Sequence, residues 1–326
     1  MPDSVPVHAF SQEMRRKKIS IVTPCYNEQD NVRECWNAVK AVFEKELPDY
    51  DFEHVICDNC SQDETVARLR EMSREDPRLK VILNARNFGP FCNTFNGMMA
   101  TTGDAIIAML PVDMQDPPEI IPAMVKHWES GYEVVYGIRA NREEGLLMRV
   151  VRHCYYRTVS RFVEFKVPND VGEFQLIDRA VVDALKRFDD YYPYIRGMIA
   201  SCGFKSIGVS YTWRERKRGF SKNRLYHLID QGLNGMISFT KVPLRITMLM
   251  GFALAFCSIL FGLLSLVANI VLWNQAPRGI PTLIVALFFF SGIQLFFIGL
   301  LGEYICAIHF QVRKRPLVIE RERLNF

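Results

Sequence analysis

Short apolar runs alternate with amphipathic stretches through the first half of the chain. Ile19–Thr23, Phe52–Cys57, Lys80–Leu83 and Ala105–Leu110 have the length and apolar content of buried strands. Between them, helices are expected from Asn31 to Glu46, from Glu64 to Glu75 ahead of the Asp76-Pro77 stop, and from the Arg86–Gly89 turn to Ala100. Asp116 before Pro117-Pro118-Glu119 predicts one more helix start ahead of the amphipathic stretch Ile120–Trp128. Asp would be the cap, Pro would open the first turn, and Glu follows three residues after the cap. Gly131–Tyr136 reads as a further strand. Strands alternating with helices in this way predict an α/β domain, a doubly wound parallel sheet with helices on both faces.

The pattern then changes. Gly145–Phe165 is apolar at Leu146, Leu147, Val150, Val151, Cys154, Val159 and Phe162, with Arg149, Arg152, Arg157 and Arg161 interleaved. An amphipathic helix with an Arg-rich face suits a membrane interface, or packing on the sheet. Residues 205–224 carry Lys205, Arg214, Arg216, Lys217, Arg218, Lys222 and Arg224 against the acid Glu215. Ile246–Trp273 and Ile280–Ile308 are almost wholly apolar, and each exceeds the ~20 residues that a spanning helix needs. Asn274–Gly279 is a tight loop that makes them a helical hairpin, and Leu225–Phe239 reads as a surface helix before it. Lys241, Arg245, Arg313, Lys314 and Arg315 flank the outer ends and Arg278 lies in the loop, a bias that places both termini in the cytoplasm. The expected organisation is a loose tail over 1–16, an α/β domain over 17–220 and a juxtamembrane segment over 221–245. Two transmembrane helices follow within 246–308 (246–273 and 280–308), then a basic cytoplasmic tail over 309–326.

Composition refines this picture. Of 326 residues 49% are apolar, as a water-soluble domain joined to a strongly apolar segment would give. The formal charge of +4 is too small to point to nucleic acid. A basic cluster directly before a membrane segment suits anionic headgroups or a lipid phosphate instead. Nine cysteines, odd in number and scattered, fit a reducing cytosol, and Cys57-Asp-Asn-Cys60 has no second pair to complete a zinc site. No apolar core marks a signal peptide at the N-terminus.

In open α/β sheets ligands bind in the crevice beyond the carboxyl ends of the strands. Tyr26 and Glu28 follow the first strand, Asp58 the second, and Asp113 and Gln115 the fourth. Capping of the next helix is the competing role for Asp58 and Asp63. No GxGxxG follows the first strand, so a dinucleotide is not expected. The carboxylate of Asp113 and the amide oxygen of Gln115 suit a hard divalent cation bridging phosphates.

Four segments in order resemble the family 2 glycosyltransferases of GT-A fold: Thr23-Pro-Cys-Tyr-Asn-Glu28, Asp58-Asn-Cys-Ser-Gln-Asp-Glu-Thr65, Arg86-Asn-Phe-Gly89 and Asp113-Met-Gln-Asp-Pro-Pro-Glu119. The likeness is greatest to the polyprenyl-phosphate branch, which includes dolichol-phosphate mannose synthases and bactoprenol glucosyltransferases, and it runs over residues 17–320. It implies that Pro24, Tyr26, Glu28 and Asp58 contact the uracil and ribose of a nucleotide sugar, with Arg86, Asn87 and Gly89 elsewhere in the donor site. The family usually carries Asp-x-Asp before Leu-Gln; here Pro111 stands at the first position, and Asp113 and Gln115 remain as the matching ligands for Mg²⁺ or Mn²⁺. Arg139 matches an arginine near the acceptor phosphate, and Gly219-Phe-Ser-Lys222 resembles the family's Gly-x-Ser-Lys-Tyr loop with Asn223 in place of Tyr. The resemblance thus draws Arg139, Arg214, Arg216, Arg218, Ser221 and Lys222 to the acceptor phosphate. Asn169–Asp178 resembles the Gly-Asp-Phe-Arg-Leu segment, with Glu173 for the Asp and Gln175 for the Arg; Asp113 and Glu173 are the candidate catalytic carboxylates. Arg196-Gly-Met-Ile-Ala200 matches the segment that follows.

The function so implied is a membrane-anchored, inverting glycosyltransferase of the inner (cytoplasmic) membrane. It would move a sugar from a nucleotide sugar, UDP-linked, to a polyprenyl phosphate of undecaprenyl type, for cell-surface glycan or lipid modification. By the same resemblance it is a homo-oligomer, a tetramer. A glycan or lipid-alcohol acceptor competes, although the Gln-x-x-Arg-Trp of processive members is absent. Pro111, Glu173 and Gln175 keep open a catalytically silent nucleotide-sugar-binding subunit. A membrane tether that only binds partners is the remaining class.

Overall fold

A computed structural model describes residues 16–139, 171–188, 190, 193–214, 242–271, 280–313 and 315–326. The helices expected at 145–165 and 225–239 and the loop at 274–279 lie outside the described residues. Two compact units make up the chain, one drawing on 1–145, 168–221 and 316–326 and the other on 146–167 and 222–315.

The first unit begins with β1 (Lys18–Cys25), α1 (Val32–Glu46), β2 (Asp51–Asp58), α2 (Thr65–Glu75), β3 (Leu79–Asn84), α3 (Pro90–Met99) and β4 (Ala105–Ile107). A 3-10 turn (Pro118–Ile120), α4 (Ile121–Glu129) and β5 (Val134–Arg139) follow. Later come β6 (Val171–Asp178), α5 (Arg179–Leu185), α6 (Ile195–Ser201), β7 (Ser206–Tyr211) and, near the C-terminus, β8 (Glu320–Leu324). These strands form one sheet in the order β7-β5-β6-β4-β1-β2-β3-β8.

Helices cover both faces, as the pattern predicts. Val32, Cys35, Trp36, Val39, Val42 and Phe43 make the buried stripe of α1. Its Trp36 lies 5.9 Å from the rings of Phe52 and His54 on β2, and its Phe43 stacks on Phe52 at 4.5 Å. Cys57, three residues beyond His54, points to the opposite face. There α3 approaches so closely that a Cβ on Gly97 would lie 2.4 Å from Cys57 Sγ and 2.8 Å from Val22 Cγ1. Strands covered on both sides must be apolar on both sides, and Ile19, Ile21, Val22, Val55 and Ile56 are all fully buried.

The structure corrects the sequence expectations in four places. The sheet is mixed: β6 runs antiparallel between β4 and β5, and β8 pairs antiparallel with β3. Residues 309–326 are not simply a tail, because β8 occupies one edge of the sheet. Regular pairing of β4 stops at Ile107, although the Ala108 amide still donates to Gln175 O at 2.8 Å and that of Leu110 to Val22 O at 2.9 Å. Finally, Asp116 caps no helix. The first turn is a 3-10 turn with Pro117 before it, without a side-chain cap bond. Pro117 and Pro118 bring no N–H groups for a cap to accept, and the Asp116 carboxylate turns to the half-buried Arg139 instead.

The second unit contains α7 (Val242–Val271) and α8 (Ile280–Val312), where the two spans were expected. Phe252, Phe256, Phe261 and Leu264 on α7, and Leu283, Leu295, Phe296 and Ile305 on α8, are each more than half exposed. Within α8, Phe289–Val312 is long and apolar enough to cross a membrane, the one such stretch among the described residues.

Candidate active site

The topology brings the chemistry to one edge. Strands β1 to β4 are parallel; β5, antiparallel to the reversed β6, points the same way, and β7 runs parallel to β5. Six carboxyl ends therefore share an edge, and the amino ends of β6 and β8 meet them there. Three non-glycine residues take left-handed backbone in loops at this edge: Asn27 (φ 54), Cys60 (φ 66) and Met114 (φ 53). Such conformations cost energy, and they gather where a fold serves a ligand.

The carboxyl ends of β1, β2 and β3 and the loops that follow hold every residue assigned to the donor: Pro24 within β1, Asp58 at the end of β2, and Tyr26, Glu28, Arg86, Asn87 and Gly89 in the loops. The first two loops are laced together. Asn27 N donates to Ser61 Oγ at 2.8 Å, Gln62 N to Asn27 Oδ1 at 2.8 Å and Glu28 N to Thr65 Oγ1 at 2.9 Å. Asp58, 1% exposed, accepts from Ser61 N at 3.0 Å, from Ser61 Oγ and, at 3.7 Å, from Cys25 Sγ. Burial pushes its pKa above the ordinary aspartate value, and these donors only partly oppose the shift. An asparagine network fixes the third loop: Asn59 Nδ2 donates to Asn87 Oδ1 at 3.0 Å, and Asn59 Oδ1 accepts from Phe88 N at 2.9 Å. Asn84 Nδ2 reaches Asn93 Oδ1 at 2.7 Å, and Asn93 Nδ2 reaches Cys57 O at 2.7 Å. The Arg86 guanidinium lies 3.9 Å from the Phe88 ring centre.

Pro111–Asp116 is a tight loop closed by Met114 N donating to Pro111 O at 3.0 Å. Asp113, half-buried, accepts from Gln115 N at 3.3 Å, and Gln115 O accepts from Arg214 N at 3.0 Å. Beside this loop lies a cluster of charge. Asp116, 2% exposed, accepts from Arg139 Nε at 3.1 Å and Nη2 at 2.8 Å, and also from the Tyr211 hydroxyl. Burial alone would lower the pKa of Arg139, but Asp116 and Tyr211 reverse that and raise it, so the guanidinium stays charged. Glu173 Oε1 lies 3.8 Å from Arg196 Nε, and Glu173 Oε2 is buried with no hydrogen-bond partner among the described residues. Burial raises the pKa of this carboxyl, opposed by Arg196 and Arg139.

Of the acceptor assignments, Arg139 and Arg214 lie at this edge, Arg214 paired with Glu119 at 3.3 Å. Arg216, Arg218, Ser221 and Lys222 fall outside the described residues. Sequence reasoning missed Asn59, Asn84 and Asn93, although Asn59 adjoins Asp58, and it missed Tyr211, which carries no local signal at all. Among the described residues no three His, Cys, Asp or Glu side chains gather as a self-sufficient metal site.

Residues 20–186 match the family described as Glycosyl transferase family 2, and residues 242–308 match the GtrB C-terminal hairpin. The chain is 33% identical over 307 residues to a bactoprenol glucosyl transferase of Shigella phage SfX, covering 94% of this chain and 99% of that protein. It is 34% identical over 306 residues to the uncharacterized glycosyltransferase YkcC of Bacillus subtilis (strain 168), covering 94% of each. Among solved structures it is similar to mannosyltransferase PcManGT from Pyrobaculum calidifontis, with a TM-score of 0.46 and 19% identity over 64% of this chain and 59% of that one.

Proposed function

The chain belongs to glycosyltransferase family 2 and carries the GtrB C-terminal hairpin after a GT-A-like sheet, and from that premise we propose that it transfers a sugar from a UDP-sugar to the phosphate of a polyprenyl phosphate. The observation that carries this reading is that the residues proposed for the donor and Arg139, proposed for the acceptor, lie at one edge of the sheet. Loops after β1, β2 and β3 are bonded to one another, and Asp116 of the Asp113 loop holds the half-buried Arg139 at the same edge. Relatives named bactoprenol glucosyl transferase point to the same acceptor class and make glucose the first sugar to test.

In the proposed reaction an oxygen of the lipid phosphate attacks the anomeric carbon. The new C–O bond forms on the face opposite the departing UDP, whose C–O bond breaks with its electron pair, so the configuration inverts. A phosphate monoester has its second pKa near ~6 and is largely dianionic at neutral pH, so no strong base is required. Arg139 and the basic residues after Tyr211 hold this anion against the negative donor, the step that positioning makes favourable.

The donor set fits a divalent ion that is shared with the substrate. Asp116 is engaged by Arg139 and Tyr211, which supports Asp113 as the proposed ligand carboxylate of the loop, with Gln115 as a neutral oxygen. Mg²⁺ binds through one or two carboxylates together with substrate phosphates, and when bound it offsets charge on the leaving diphosphate. The apolar α7–α8 pair is proposed to anchor the enzyme in the cytoplasmic membrane as a hairpin with both termini in the cytoplasm, and a homo-oligomer is proposed with it.

Full-length protein in detergent, given undecaprenyl phosphate and a panel of nucleotide sugars with Mg²⁺, should form a sugar-phosphate-polyprenol of inverted configuration. The Asp113→Ala variant should be inactive while keeping its fold. Transfer only to free hydroxyls, or full activity in excess chelator, would overturn the corresponding part of the proposal.

A further inference from the structure

Arg139 has five N–H donors, and the structure accounts for part of them. Nε donates to Asp116 Oδ1 at 3.1 Å and lies 3.3 Å from the Tyr211 hydroxyl, while Nη2 donates to Asp116 Oδ2 at 2.8 Å. The Tyr211 hydroxyl in turn donates to Asp116 Oδ1, closing a three-membered network. Asp116 thus takes the Nε–Nη2 edge in bidentate fashion, and Arg139 makes no further hydrogen bond among the described residues. Both Nη1 hydrogens and one on Nη2 remain, the fork that matches two oxygens of a phosphate.

The guanidinium is also fixed by packing. A Cβ on Gly172 would lie 3.3 Å from Nε and 3.4 Å from Cζ and Nη2, so a side chain there would press on the guanidinium. The Trp213 ring centre is 5.5 Å away. Tyr211 is held by edge-to-face packing on Phe174, with ring centres 5.9 Å apart. The anchoring carboxylate is 3% exposed in its side chain and the arginine 22%, so the pair is shielded on the Asp116 side and reaches solvent through the arginine.

We infer that Asp116 and Tyr211 are positioning residues for the acceptor: they hold Arg139 by one edge of its guanidinium and keep the other edge for a lipid phosphate monoester. This rests on the reading of Arg139 as an acceptor-phosphate residue and gives Asp116, whose sequence context suggests a helix cap, a different task. An arginine without this anchor would spend its rotamer freedom on binding; the anchored one meets the phosphate already oriented.

The test uses the full chain in detergent, with undecaprenyl phosphate and UDP as separate probes and equilibrium Kd as the readout. Tyr211→Phe keeps the ring packing and removes only the hydroxyl. Asp116→Asn keeps one acceptor but sets an N–H₂ against the guanidinium. Each should weaken undecaprenyl phosphate binding by ~tenfold, with UDP binding changed by less than about twofold. In an Arg139→Ala background the same substitutions should add less than about twofold, because the group they position is gone. Equal additive losses in both backgrounds, or parallel loss of UDP affinity, would make the network a structural staple and overturn the inference. Unchanged lipid affinity in Arg139→Ala alone would instead overturn the underlying reading of Arg139. If Asp116→Asn fails to fold, Tyr211→Phe alone decides the question.

Discussion

Glu53 is a carboxylate with 1% of its side chain exposed, at the amino edge of the sheet and far along β2 from the crevice at Asp58. Burial alone would raise its pKa. Lys18 at 2.7 Å, Lys80 at 2.8 Å, Ser20 Oγ at 2.6 Å and Thr102 N at 2.6 Å outweigh that and hold it down at about 2. A carboxyl whose pKa falls on folding adds stability that is present above its unfolded value and is lost as pH falls toward the folded one. A lowering of this size corresponds to about 3 kcal/mol. The Glu53→Gln variant should therefore be clearly less stable than the parent at pH 7, with the gap closing between about pH 4.5 and pH 2. Urea midpoints measured across that range check it; a gap independent of pH would mean that packing rather than charge is responsible. His54, on the same strand and fully buried, takes the opposite course: burial lowers its pKa to about 3 and it sits neutral beside Thr23.

Among the elements, β8 is the least expected. Its sequence Glu-Arg-Glu-Arg-Leu alternates half-buried and exposed positions, and charge on an edge strand discourages pairing with other chains. It is tied to the domain at both ends. Glu320 accepts from Asn96 at 2.6 Å, Glu322 pairs with Arg70 at 2.5 Å, and Asn325 Nδ2 donates to Ser73 O and Leu79 O. Its first residue also lies opposite Asn84, a member of the asparagine network that holds the Arg86–Gly89 loop. Deleting residues 320–326 should lower Tm by about 5 °C and weaken UDP binding, because the edge of β3 loses its partner. Thermal melts and UDP titration of the full-length and shortened chains test this. A drop in Tm with UDP affinity intact would confine the strand to stability.

For the whole molecule, the catalytic unit is not contiguous in sequence. Its last strand comes after α8, so the apolar pair is inserted into the catalytic fold rather than appended to it. A chain cut at residue 221 loses β8 as well as the hairpin. It should melt lower than a chain in which a flexible Gly/Ser linker replaces 222–315 and returns 316–326 to the sheet. Side-by-side melts of the two chains are the measurement, and equal Tm values would show that β8 contributes nothing without the hairpin.

The sequence by itself determined the α/β alternation, the helices on both faces, the apolar pair and the positions of Tyr26, Glu28, Asp58 and Asp113, because each depends on local periodicity or on a short segment next to a strand end. It could not determine that β6 runs backwards between β4 and β5, since a strand buried on both faces has the same apolar pattern in either direction. Nor could it show that Arg70 meets Glu322, or that Asp116 meets Tyr211 and leaves its helix uncapped. Those pairings join residues far apart along the chain. Only tertiary structure decides them, because residues so distant in sequence meet only where the fold brings their strands and helices together; the buried Asp116 carboxylate then takes the counter-charge that the fold delivers.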